Sequence, residues 1–313
     1  MSHSAIGVSM RTAIPAPVRA LSTDDPAEIL GFAAACLREG GGAALATLVE
    51  IRGGAARALG SHVAVAADGR YCGYVSGGCV EAAVAAEALL AMAEGRDRTA
   101  LFGDGSPFFD IVLPCGGGIT VAIHLLREAG VIEQALDRLE KRRPAGLRYN
   151  RERQSLEVAE PPQRAHWQAG DFLTIYRPRT RVVISGQTVE ASAVARLAAA
   201  SDFDVLVREP GEAGRQVGEI DAHTAIVLLH HDLDQEAPAL EAALGSEAFY
   251  VGALGSTRTH RRRIERLRKR GFGSGDLDRL RAPIGIFGPT RDSTSLALSI
   301  LADVAACRLA AYG

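Results

Sequence analysis

Residues 181–207 read RVVISGQTVEASAVARLAAASDFDVLV, and their order decides the fold of the second half of the chain. Arg181 to Ser185 is a short run of branched apolar residues, Gly186-Gln187-Thr188 is a turn, and Glu190 to Ala200 is alanine-rich at helical spacing. Asp204 to Val207 then returns to branched apolar residues. The same alternation continues through Ala225 to Leu229, Gln235 to Leu244, Ala248 to Val251, Thr257 to Arg270, Ile284 to Phe287 and Thr294 to Cys307. Apolar runs of strand length alternating with helices predict a parallel sheet covered on both faces, a Rossmann-like, doubly wound domain over residues 179–313.

In such a sheet the ligand crevice lies beyond the carboxyl ends of the strands. Those ends are Gly186-Gln187-Thr188, Arg208-Glu209, His230-His231-Asp232, Gly252-Ala253-Leu254-Gly255-Ser256 and Gly288-Pro289-Thr290, each polar or glycine-rich. Glu209 stands where a dinucleotide fold puts its ribose-binding acid. The first turn argues the other way. The fingerprint GxGxxG needs glycine where this chain has Thr188, and the third position is Ala191. Thr188 crowds a pyrophosphate, so NAD(P) is disfavoured without being excluded; the alternatives are a fold kept only as a scaffold and, equally, a different nucleotide-like ligand. His230, His231 and Asp232 offer a proton relay or metal ligands; the alternative is one packed histidine with Asp232 capping a turn. The helix after Ser256 carries Arg258, Arg261, Arg262, Arg263, Arg266, Arg268, Lys269 and Arg270 against Glu265. Most of that is a solvated face, or one that docks an acidic partner. Arg258, nearest the Gly255-Ser256 turn, is placed to meet an anion.

Towards the amino terminus the pattern is different. Residues 1–22, with Pro15 and Pro17, read as a flexible tail. An α+β domain with a small mixed sheet is expected over 23–128. It has a helix Ala27 to Arg38 capped by Asp24 to Pro26, a strand Ala43 to Ile51, and strands His62 to Val65 and Tyr71 to Val75 around Asp68-Gly69. A helix Cys79 to Glu94 closed by Gly95 follows, then a strand whose Ile119, Val121, Ile123 and Leu125 alternate against Thr120, Ala122 and His124, with one face buried. Residues 129–178 read as a connector with a charged helix, Val131 to Arg142, possible short strands and Pro161-Pro162.

Two glycine-cysteine turns stand out in this half. Ser76-Gly77-Gly78-Cys79 passes from strand to helix, putting Cys79 in the first helical turn, where the helix dipole favours thiolate. Gly77 and Gly78 leave backbone donors open to an anion. Pro114-Cys115-Gly116-Gly117-Gly118 is the second. Each taken alone is equally an inert small residue in a turn; two in one small domain suggest a site for a sulfur-seeking metal centre or for sulfur transfer.

The 313 residues are enough for two domains with their own cores, and 47% hydrophobic with 23% charged is a globular composition. A formal net charge of −2 gives no global attraction to nucleic acid or to an anionic membrane. The sequence shows no uninterrupted apolar run of membrane-span length and no signal-peptide order at Met1 to Leu21, so a cytoplasmic location is expected. Five cysteines without regular spacing form neither a disulfide framework nor a CxxC zinc site.

SGGCVEAAV at 76–84, PCGGGITV at 114–121, LLHHDLDQEAPAL at 228–240, FYVGALGSTRTHRRR at 249–263 and APIGIFGPTRDSTSLALSILADV at 282–304 together resemble the XdhC/CoxI family. The resemblance implies an accessory protein for molybdenum hydroxylases of the xanthine dehydrogenase type, a cofactor-binding chaperone more than a catalyst. Such a protein holds molybdenum cofactor (molybdopterin) while a cysteine desulfurase replaces an oxo ligand by sulfide, then passes it to the apoenzyme. Carried over residue by residue, it points to Gly77, Gly78, Cys79, Cys115, Gly116 and Gly117 in the first domain, the two cysteines as sulfur contacts to molybdenum. In the second it points to His231, Asp232, Gly252, Gly255, Ser256 and Arg258, beside Gly186 from the turn itself. A homodimer is the expected assembly, because large cofactors are commonly sheltered between domains or subunits.

Overall fold

The computed structural model describes residues 14–106, 116–186, 188–208 and 220–312. The chain divides into two compact units, Met1–Tyr176 and Arg177–Gly313.

Unit 1 is built on a six-stranded mixed sheet. Its strands are β1 (Val18–Leu21), β2 (Ala43–Arg52), β3 (His62–Ala66), β4 (Arg70–Gly73), β5 (Arg98–Gly103) and β6 (Gly118–Leu126), in the order β1-β4-β3-β2-β6-β5. Helices α1 (Pro26–Arg38), α2 (Glu81–Glu94) and α3 (Gly130–Glu140) cover it. The period of two in β2 sorts its side chains: Ala44, Ala46 and Leu48 join the core under α2, while Ala43 and Leu45 join the core under α1 and α3. With both faces buried, β2 reads as an unbroken apolar run. Helix α1 starts where Asp25 accepts from the Ala27 amide at 2.8 Å with Pro26 following, and α2 ends at the left-handed Gly95.

Three local expectations for unit 1 are corrected. Val18–Leu21 is not loose but pairs in parallel with β4, closing an edge that would otherwise leave its amides unpaired. Strand β6 is buried on both faces, because its polar residues find partners: His124 Nδ1 lies 2.7 Å from Asp97, and Thr120 donates to Glu50 at 2.6 Å. Residues 129–178 hold α3 and a four-stranded antiparallel sheet of β7 (Ala145–Asn150), β8 (Ser155–Ala159), β9 (His166–Gln168) and β10 (Asp171–Tyr176), ordered β8-β7-β10-β9. Tyr149 and Phe172 pack from it against Val49 and Ala122.

Unit 2 is the expected doubly wound layer structure. Strands β11 (Arg181–Ser185), β12 (Asp204–Arg208), β13 (Thr224–Leu228), β14 (Tyr250–Ala253) and β15 (Leu280–Arg281) form an all-parallel sheet in the order β12-β11-β13-β14-β15. Helices α4 (Val189–Ala200) and α8 (Ser293–Tyr312) bury Val194, Ile300 and Val304 on one face. Helices α5 (Leu233–Leu244), α6 (Thr257–Lys269) and α7 (Ser274–Asp278) bury Leu240, Leu267 and Leu277 on the other. The strand expected at Ile284 to Phe287 is absent. Leu280–Arg281 pairs with β14 instead, and Pro283, Gly285 (φ 95°) and Pro289 turn the following apolar residues into a loop. Helix α8 is, by length and composition alone, long and apolar enough to cross a membrane, unlike any segment expected from the sequence. Its Ala297, Ile300, Leu301 and Val304 are buried in the core of unit 2.

Candidate functional site

In unit 1 the first glycine-cysteine turn and the described glycines of the second, Gly116 to Gly118, lie at the end of the sheet where β2 and β4 finish and β6 begins. The first, residues 74–80, is ordered by an internal anion. The Glu81 carboxylate is fully buried. Its Oε1 accepts from the backbone amides of Val75 (2.9 Å), Ser76 (2.8 Å) and Gly77 (3.2 Å), and its Oε2 from that of Val80 (3.2 Å). The Ser76 hydroxyl donates to the same carboxylate at 2.9 Å and accepts from the Cys79 and Val80 amides. Burial pushes the Glu81 carboxyl up, but the hydrogen bonds from Ser76 and Val75 outweigh it and hold it below the usual carboxylate range. Two sequence expectations change here. The Gly77 amide is taken by Glu81, not open to an anion, and Cys79 precedes the N-cap Val80, so it lies outside the first helical turn. Gly77 and Gly78 both have left-handed backbones (φ 95° and 118°), which swing Cys79 out to the surface.

Cys115 lies outside the described residues. The end of its turn is described: Gly116 is exposed, and Gly117 is buried so closely against the β2 terminus that a Cβ would fall 2.4 Å from the Gly54 carbonyl oxygen and 2.6 Å from that of Arg52. A Cβ at Gly53 would lie 3.4 Å from the Gly117 Cα, and one at Gly77 would lie 3.4 Å from the Ala56 Cβ, so the segment 53–56 runs close beside both turns. Arg52 braces the arrangement by donating to the Asp104 carbonyl (3.0 Å), Thr120 (2.8 Å) and Glu50 (3.0 Å). The other described cysteines of this unit, Cys36 and Cys72, are buried, and burial pushes their thiols up, Cys72 to about 12. Among the described residues no three His, Cys, Asp or Glu side chains gather to hold a metal ion.

In unit 2 a crevice of about 970 Å³ opens at the carboxyl ends of the parallel strands. It is lined by the start of α4, by His231 after β13, by Leu254 to Thr257 after β14, and by residues 283–293 with Leu296. Among its described lining residues none comes from β12, where the ribose acid of a dinucleotide fold would act; Glu209 and Gln187 lie outside the described residues. At the first turn Thr188 is the N-cap of α4, its hydroxyl oxygen accepting from the Ala191 amide at 3.2 Å. Glu190 lines the crevice beside it. Hydrogen bonds from the Thr188 hydroxyl and from its own backbone amide hold its carboxyl below the ordinary range. The Glu190 and Ala191 amides, which a bound phosphate would need, are thus already engaged.

The residues singled out in sequence are dispersed by the fold. Gly255, Ser256 and His231 line the crevice, with His231 Nε2 3.9 Å from Glu190. Ser256 caps α6 by accepting from the Thr259 amide, and Asp232 caps α5 by accepting from that of Asp234 at 2.7 Å. Arg258 is exposed on α6 and outside the crevice lining. Gly186 is buried against the Leu229 carbonyl, and Gly252 against Ile284 and Tyr250. His230 is packed, 2.9 Å from Ser185, and burial lowers its basicity. Beneath the crevice Glu236 and Arg263, 1% and 2% exposed, pair through two bonds of 2.5 and 2.8 Å, and Arg263 also donates to the Leu254 carbonyl at 2.7 Å. Arg263 is therefore not part of the solvated face that the arginine-rich sequence of α6 predicts. The buried Glu236 opposite was its missing signal.

Comparison with known proteins matches both units. Residues 36–103 match the model of the XdhC and CoxI family, and residues 182–304 that of the XdhC Rossmann domain. The molybdenum cofactor insertion chaperone PaoD of Escherichia coli (strain K12) is 51% identical over 295 residues, covering 94% of this chain and 92% of its own. A crystal structure described as a xanthine dehydrogenase from Bacillus halodurans superposes with a TM-score of 0.70 at 19% identity, over 91% of this chain and 96% of that one, which shows a common fold.

Proposed function

The chain belongs to the XdhC and CoxI family, and from that premise we propose that it binds molybdenum cofactor and delivers it to a molybdenum hydroxylase apoenzyme. The observation that carries the proposal is 51% identity, sustained across both units, to a molybdenum cofactor insertion chaperone. The finer reading is a client of the xanthine dehydrogenase type, cofactor held while a cysteine desulfurase exchanges oxo for sulfide, and a cytoplasmic homodimer. Two features of the chain support the binding role. The crevice of unit 2 has the volume of a site for a cofactor-sized ligand. In unit 1 a rigid turn presents Cys79, an exposed soft sulfur suited to a molybdenum centre or its sulfide. Gly77, Gly78, Gly116 and Gly117 shape that edge, and Cys115 completes the proposed pair. NAD(P) has less support, because Thr188 and Glu190 engage the amides a pyrophosphate would use.

The test is retention of molybdopterin by the purified protein, read as its fluorescent oxidation product, followed by transfer to an apoenzyme. Protein that neither retains nor takes up molybdopterin refutes the reading. A Cys79→Ala variant that binds and transfers cofactor like the wild type removes the thiol from it.

A further inference from the structure

The crevice of unit 2 carries charge of opposite sign on two of its walls. On the α4 wall stands Glu190, its side chain 23% exposed and anchored by the Thr188 hydroxyl and its own amide. On the wall made by residues 283–293 stands Arg291, exposed and without an ion pair or hydrogen bond among the described residues. Its neighbour Asp292 is committed to α8, accepting from the Ser295 amide at 2.7 Å. The same wall presents Ile286 and Phe287, 56% and 50% exposed. An aromatic side chain left half in water inside a concavity is a ready platform for a flat ring.

These groups select a ligand by its chemistry. An ionised carboxylate only accepts hydrogen bonds, and its two oxygens match two adjacent N–H donors on a planar edge. It also repels phosphate from the helix start, the place a dinucleotide fold reserves for it. An unpaired guanidinium takes phosphate in a bidentate grip. We propose that the crevice is a two-ended site: Glu190 accepts from the N–H edge of an amino-substituted pyrimidinone ring, and Arg291 holds a phosphate carried by the same molecule. This rests on the reading of the cargo as molybdopterin, which carries both groups, and it gives the ligand the opposite polarity to a dinucleotide along the strand ends. Phe287 lies against the ring.

Binding of molybdopterin released from a donor enzyme, titrated by fluorescence at low and at moderate salt, tests this. Each wild-type contact is a charge-assisted hydrogen bond, so Glu190→Gln and Arg291→Ala each weaken binding by about tenfold. The Glu190→Gln loss is insensitive to salt, while the Arg291→Ala loss shrinks as salt rises. Inorganic phosphate competes against wild type and Glu190→Gln but not against Arg291→Ala. Glu190→Asp, which keeps the charge and withdraws it by one methylene, gives an intermediate loss. Arg268→Ala, a cation on the exposed face of α6, stays within about twofold of wild type, inside the range of a surface charge change. Wild-type binding with both crevice variants within twofold of it overturns the two-ended site and leaves the cofactor reading standing. No binding by the wild type overturns the cofactor reading, and the two-ended site with it.

Discussion

Replacing Glu81 by glutamine is a near-isosteric change with a large expected cost. The buried carboxylate accepts from four backbone amides and from the Ser76 hydroxyl. In Glu81→Gln a neutral oxygen takes over the Val75, Ser76 and Gly77 amides, and each bond gives up about 1 kcal/mol in losing its charge assistance, so about 3 kcal/mol in all. The Val80 amide then faces an NH2 group and keeps only the Ser76 Oγ at 3.2 Å. Trp167, the chain's one tryptophan, lies in unit 1, packs edge-on to Phe172 and donates to the Val49 carbonyl at 3.0 Å, so its fluorescence reports the unfolding of that unit. At an m-value of about 2 kcal/mol/M the variant's urea midpoint falls by about 1.5 M. Amide exchange in residues 75–80, read by mass spectrometry, speeds up together with it. The sign with pH follows from the depressed carboxyl. The stabilisation is fully present above the ordinary carboxylate pKa of about 4.3 and is lost as pH falls through the lower folded value. Glu81→Gln flattens the stability curve there. A midpoint moved by less than about 0.3 M (set against the 1.5 M from that m-value), with exchange in residues 75–80 unchanged, refutes the view that an internal anion orders the cysteine turn.

Three further outcomes follow from the packing. A Cβ at Gly252 would fall 2.6 Å from Ile284 and 2.7 Å from Tyr250, so Gly252→Ala destabilises unit 2 by about 1–3 kcal/mol, seen in thermal melts. Glu236→Ala strands the Arg263 guanidinium in the core and costs about 3–5 kcal/mol, whereas replacing both partners by leucine and methionine costs much less; a double-mutant cycle by denaturation separates the two. His62 is fully buried between Thr47 (3.0 Å) and Tyr176 (2.6 Å), and burial lowers its pKa to about 3. It therefore stabilises fully above the unfolded pKa near 6.5 and progressively less as pH falls towards 3; His62→Gln removes that dependence in pH-resolved urea titrations.

Unit 2 was legible because its central strands β11, β13 and β14 are buried and three of its helices start at residues that cap by chemistry alone: Thr188, Asp232 and Ser256. The misread strand at Ile284 to Phe287 is apolar for another reason. It lines a crevice, and its glycines and prolines were the available warning. Strands β1, β8 and β9 were harder, being three to five residues long with no buried side chain to mark a core face. The site residues divide along the same line. Cys79 announced itself by type and by its glycines. Glu81, Glu190 and Arg291 look like ordinary helix and loop charges, and only tertiary placement reveals that the first is buried and the other two face a cavity.

Helix α8 spans unit 2 from one end of the sheet to the other. Ser293 and Leu296 line the crevice, while Tyr312 packs against His223 and Phe249 and donates to the Ala222 carbonyl beside the start of β13. At 1.5 Å per residue its 20 residues make a strut of about 30 Å. A strut transmits load. A substitution at Tyr312 that removes its ring and hydroxyl releases the far end of the same rod whose near end shapes the crevice.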